Sequence, residues 1–202
     1  MHSSPPFAST LCRRAFSKKS GALSCLRALL LAVLAVVFLW PAEICAQSAQ
    51  QREYDIKAAY LYRFLNYIDW PADTLPGAGG TITIGIVGED PFGPSIDWLK
   101  GKQIKGRTLA VRLVATPKDF EQCQIIFISA SEKARLPEIL AQLKDARVLT
   151  VSEVDGFAAQ GGIINFFSER NKVRFEINLE VARRTGLLIS SELLKLAKLV
   201  KS

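Results

Sequence analysis

Ile125-Ile126-Phe127-Ile128 is the most restrictive run in this sequence. Successive side chains of a strand point to opposite faces. A strand without a polar member needs apolar cover on both sides, which is the condition of an inner strand in a parallel sheet. The surroundings agree with that reading. Residues 81–88, 108–114 and 147–151 are further β-branched, apolar runs, and 124–129 contains the tetrad. Helical spacing places helices over 54–68, 91–100 and 132–144. Strands alternating with helices imply right-handed crossovers and a mostly parallel sheet, an α/β fold flanked by helices.

The pattern changes after residue 160. Residues 162–167 and 172–179 are two strands joined by Ser168-Glu169-Arg170-Asn171, a link short enough to require an antiparallel hairpin. In the second strand Val173, Phe175, Ile177 and Leu179 alternate with Lys172, Arg174, Glu176 and Asn178. That period of two predicts one buried face and one polar face. A helical turn over 180–185 closed by Gly186 is expected next. An amphipathic helix over 190–200 comes after it, capped by Ser190 or Ser191, with Lys195, Lys198 and Lys201 along one side.

The first 46 residues differ from the rest. They hold five bases, one acid, the only histidine, the only methionine and three of the four cysteines. A basic stretch ending at Arg27 precedes 13 apolar residues, 28–40. As a helix this run reaches roughly 20 Å, short of a hydrocarbon core of about 30 Å. It fits the apolar region of a secretory signal peptide, with Ala46 before a plausible cut. Arg13-Arg14 is also similar to a twin-arginine signal, although a generic basic region accounts for the same residues. We therefore expect residues 1–46 to be a signal peptide and 47–202 a single periplasmic domain.

Removing that segment leaves 21 bases against 18 acids, a formal charge of +3, with no histidine and Cys123 alone. A Ser-His-Asp triad or Cys-His pair is then impossible. One thiol makes neither a zinc site nor an internal disulfide. The weak positive charge does not suggest nucleic acid. No catalytic residue set, metal site or cofactor is expected.

Four local features have both functional and structural readings. Gly85-Ile86-Val87-Gly88-Glu89-Asp90-Pro91 runs from a strand into a helix, where α/β proteins hold phosphate, but the glycine spacing is wrong and two carboxylates would repel an anion. Asp90 is better read as a cap, with Pro91 in the first turn. Glu153 with Asp155, like Glu89 with Asp90, is a carboxylate pair without a nucleophile, so turn formation is the simpler reading. Cys123 precedes a buried strand and reads as an inert thiol. Phe157 lies in the glycine- and alanine-rich stretch 156–162, either tucked into the core of a tight crossover or displayed for docking.

Taken together, several segments resemble the YfiR-like family of periplasmic regulators. They include Lys57-Ala58-Ala59-Tyr60-Leu61-Tyr62, Trp70-Pro71, Gly161-Gly162-Ile163-Ile164-Asn165-Phe166, Arg174-Phe175-Glu176-Ile177-Asn178-Leu179 and Ser190-Ser191 with Leu193-Leu194-Lys195-Leu196-Ala197. The resemblance spans nearly all of 47–202. It implies a non-enzymatic protein that binds the periplasmic sensor region of an inner-membrane receptor, a diguanylate cyclase. Such binding represses the cyclase, lowering cyclic-di-GMP and disfavouring biofilm; homodimers are common among relatives. The docking surface expected on this chain is Phe157 with Lys172, Arg174, Glu176 and Asn178, extended by Arg183. The alternative is a small-ligand-binding or enzymatic α/β domain that uses the strand-end crevice near Glu89, Asp90 and Ser129.

Overall fold

The computed structural model describes Leu29 and residues 41–200, so the apolar run 28–40 lies, apart from Leu29, outside the described residues. The chain divides into two compact units, Met1–Gln47 and Ser48–Ser202. The domain in the second unit is α/β, with an eight-stranded, mostly parallel sheet. Helix α1 (Pro41–Tyr67) leads into β1 (Ile68–Asp69) and β2 (Thr81–Val87). A 3-10 helix (Gly93–Leu99), β3 (Gln103–Ile104), β4 (Arg107–Leu113), α2 (Pro117–Phe120) and β5 (Ile125–Ile128) come next. After a second 3-10 helix (Ala130–Arg135) come α3 (Leu136–Leu143), β6 (Leu149–Ser152), β7 (Ile164–Glu169) and β8 (Lys172–Asn178). The chain then forms α4 (Leu179–Arg184), β9 (Leu188–Ile189), α5 (Ser191–Leu194) and β10 (Lys198–Val200).

The large sheet runs β10-β8-β7-β6-β5-β2-β4-β3. Strands β4, β2, β5, β6 and β7 are mutually parallel. The expected hairpin turns β7 back antiparallel into β8, through a two-residue turn at Arg170 and Asn171. Both turn residues have positive φ, 51° and 58°, as a turn that matches the strand twist requires. A small separate sheet pairs β1 with β9, Ile68 opposite Ile189.

Strand β5 is buried on both faces, as its composition requires. Ile125 and Phe127 join a core beneath α1, whereas Ile126 and Ile128 join a second core beneath α3. Helix α1 buries Ala58, Leu61, Phe64 and Leu65. Tyr60 and Phe64 close on Phe166 and Phe175 of the hairpin, with ring centroids 5.1–6.1 Å apart. Tyr60 and Phe64 of α1 are thus core aromatics. Cys123 is a buried free thiol, pushed up in pKa chiefly by burial.

Two expectations are corrected here. The amphipathic helix over 190–200 is a single turn, capped by Ser190, whose Oγ accepts from Leu193 N at 3.3 Å. Beyond it the chain becomes β10 and pairs in parallel with β8, Lys198 opposite Glu176. Strand β10 pairs with the last three residues of β8, Glu176–Asn178, and this backbone pairing outweighs the helical spacing of the leucines. The 91–100 helix is likewise a shorter 3-10 helix. Asp90 Oδ1 accepts from Phe92 N at 2.8 Å, so Asp90 serves as a turn cap.

Phe157 is fully buried in the α3 core. Gly162 makes this possible, because a Cβ there would fall well inside van der Waals contact with the Phe157 ring. Gly162→Ala must displace that ring. We expect a loss of about 2 kcal/mol, within the range for overpacked cores, read as a lower urea midpoint with unchanged m-value.

Candidate functional site

The parallel strands β2, β5 and β6 deliver their C-terminal ends to one edge of the sheet, where ligands of α/β proteins usually bind. Here several polar groups at that edge, Lys57, Glu153, Asp55 and Ser95 among them, are engaged by the chain itself. Lys57 of α1 is 4% exposed. Its Nζ lies 2.5 Å from Glu153 Oε2, just past β6, and 2.6 Å from Glu53, one helical turn earlier. Tyr54 OH donates to the other Glu153 oxygen at 3.0 Å, and Lys57 Nζ sits 4.5 Å from the Tyr54 ring centroid. Burial, reinforced by Glu153, holds the Tyr54 phenol far above its ordinary pKa.

A second polar contact ties the same helix to the 3-10 helix after β2. Buried Ser95 donates to Asp55 Oδ1 at 2.6 Å and accepts from Gln51 Nε2. Ser152 Oγ donates to Ile128 O at 2.7 Å and links the ends of β5 and β6. Glu153 is therefore the partner of a buried lysine, not of Asp155, which is exposed. Sequence reasoning missed this pair. Spacing alone does not bring residues 57 and 153 together, and a lysine inside an aromatic helical motif was the only signal.

The residues of the alternative site do not converge on an open crevice. Glu89 is exposed, and its backbone N–H donates to Ser131 Oγ at 3.0 Å. Asp90 caps its turn, and Ser129 is 4% exposed. Gly88, at φ 88°, would bring a Cβ within 2.5 Å of Ser131 Oγ, so the turn that resembles a phosphate cradle is filled by the next loop.

The residues expected at the docking surface separate into two groups. Phe157 and Asn178 are fully buried, which corrects their placement on an exposed face. Asn178 alternates with the inward residues only until β8 ends. There its Oδ1 accepts from Val181 N at 3.1 Å, capping α4, and its Nδ2 donates to Ala158 O at 2.8 Å. Lys172, Arg174 and Arg183 are exposed. Arg174 Nε lies 3.3 Å from Glu169 across the hairpin. Glu176 is half-buried between Asn165 Nδ2 at 3.3 Å and Lys198 Nζ at 3.5 Å. The buried Asn165 Oδ1 has no hydrogen-bond partner among the described residues.

A family model described as DUF4154, YfiR/HmsC-like, matches residues 54–198. The chain belongs to the YfiR/HmsC-like family. That membership points to a regulator of diguanylate cyclase signalling. No curated protein matches the chain. Among solved structures, the ABC domain in complex with L-Trp from Streptococcus pneumonia is similar at 10% identity and TM-score 0.47, covering 75% of this chain and 60% of that one. A conserved domain protein from Vibrio cholerae O1 biovar eltor is similar at 13% identity and TM-score 0.45, covering 63% and 56%. The chain thus spans less than two thirds of either structure. Likeness this distant transfers no function. Among the described residues no helix is long and apolar enough to cross a membrane.

Glu153→Gln leaves Lys57 buried with Glu53 as its one charged partner. Removing one member of a buried pair costs roughly 3–5 kcal/mol. Because Glu53 remains, we expect about 2–3 kcal/mol, below that range, read from urea unfolding. Alkaline pH acts through Tyr54. Unfolded tyrosine ionises near pH 10, whereas folded Tyr54 holds its proton to higher pH. Stability from this group is complete below about pH 10 and falls as pH rises further. Tyr54→Phe should remove the last-ionising phenol from an absorbance titration of the tyrosinate band.

Proposed function

We propose that the chain is exported, loses residues 1–46, and acts in the periplasm as a non-catalytic repressor. It binds the periplasmic sensor region of an inner-membrane diguanylate cyclase and lowers cyclic-di-GMP. Family membership over residues 54–198 carries this reading. The strand-end edge supports it, because Lys57, Glu153, Asp55 and Ser95 satisfy one another where a substrate would otherwise bind.

The docking surface we assign is the outer face of the hairpin, Lys172, Arg174 and Glu176, with Arg183 on the following helix. Phe157 and Asn178 are left out, since reaching either would open the core. A bound repressor shifts its receptor only by its preference for the off state. Moving a receptor from 99% on to 99% off takes roughly 10⁴-fold, about 5.5 kcal/mol. A few charge-assisted hydrogen bonds of roughly 1.5–3 kcal/mol each reach that figure. Releasing Arg174 costs little, because its contact with Glu169 joins two half-exposed side chains, and such pairs contribute about 0–1 kcal/mol.

Arg174→Glu combined with Lys172→Glu should raise cellular cyclic-di-GMP several-fold while the protein's abundance and melting temperature stay near wild type. Unchanged cyclic-di-GMP at normal abundance removes the hairpin from the docking surface. Failure to co-purify any cyclase after crosslinking of whole cells removes the repressor reading itself.

A further inference from the structure

Between α3 and α4, over the entries to β6 and β7, lies a cavity of about 440 Å³. That volume is in the range of small-molecule sites, roughly 300–1,000 Å³. Its apolar lining includes Leu140, Leu143, Val148, Ile163 and Val181. A second cavity of about 400 Å³ shares Lys144, Arg184 and Thr185 with the first. The two exposed cations therefore stand where the cavities meet, one on each flanking segment.

What sets these two cations apart is their place at the rim of an apolar cavity. The other charged residues that touch these cavities are Arg147 and Asp145. Arg147 is paired with Asp73 at 2.6 Å. Asp145 lines the second cavity and not the first. Among the described residues no ion pair within 4.0 Å engages Lys144 or Arg184. An apolar trough with two unpaired cations at one side complements a molecule with an apolar body and a single anionic head. The guanidinium fork suits an oxyanion, and the ammonium adds a point charge.

We propose that this groove binds a small amphipathic anion, its apolar body against Leu140, Val148, Ile163 and Val181 and its carboxylate or sulfonate between Lys144 and Arg184. The site is independent of the hairpin and of the receptor. Bound there, the ligand bridges α3 to α4, the helix that Asn178 caps at the end of β8.

The probe is 8-anilinonaphthalene-1-sulfonate, titrated by fluorescence into the purified protein and competed with octanoate. We expect saturable binding of one probe, displaced by octanoate but not by octanol at equal concentration. Lys144→Glu with Arg184→Glu should weaken the probe at least about tenfold, the scale of one charge-assisted contact. Ala141→Trp, at an exposed lining position, should abolish binding without lowering the melting temperature by more than a few degrees. Lys118→Glu with Lys195→Glu makes the same change in net charge at residues outside the groove lining and should leave affinity within about twofold. No saturable binding overturns the proposal. So does an affinity that survives both groove variants, or one that falls equally in the remote charge control.

Discussion

A lysine with almost none of its surface in water has to be paired, and Lys57 is paired by a carboxylate that sits 96 positions later in the chain. That contact joins α1 to the end of β6, and Ser95 joins the same helix to the segment after β2. Buried ion pairs are weak contributors to stability relative to apolar replacements, yet costly to break from one side. Their effect here is positional. With Lys57 held at one end of the apolar stripe, Tyr60 and Phe64 are fixed over Phe166 and Phe175, and the helix cannot rotate without stranding a charge.

The same contact fills part of the strand-end edge of the sheet. Open parallel sheets present their strand ends as a binding edge, and this one answers several of its own polar groups there. Other accessible polar features lie on the outward face of the β7–β8 hairpin, and where Lys144 and Arg184 flank the trough between α3 and α4. Membership in the YfiR/HmsC-like family points to a regulator of diguanylate cyclase signalling.

Legibility varied with the range of the interaction. The period-2 pattern of β8 was readable down to Glu176, and then misassigned Asn178. A strand's last residue also opens the next element, and here capping α4 and bonding to Ala158 outweighed alternation. Phe157 was readable as either anchor or core. Gly162 resolves the choice only through a ring lying where its Cβ would be, a proximity no local pattern carries. The residues 190–200 show the converse. Their leucine spacing is helical, but backbone pairing with the end of β8 recruits Lys198–Val200 as a strand.

By itself the sequence determined the class of fold, because a strand of four apolar residues demands cover on both faces and short links allow only hairpins. It also determined the absence of histidine-based chemistry from residues 47–202, because composition does not depend on folding. Only the tertiary structure decided that Lys57 answers Glu153, that Phe157 and Asn178 face inward, and that Lys144 and Arg184 meet beside one trough. The first and last of these join residues far apart in the chain, and Phe157 and Asn178 are set by packing and capping that side-chain periodicity does not describe.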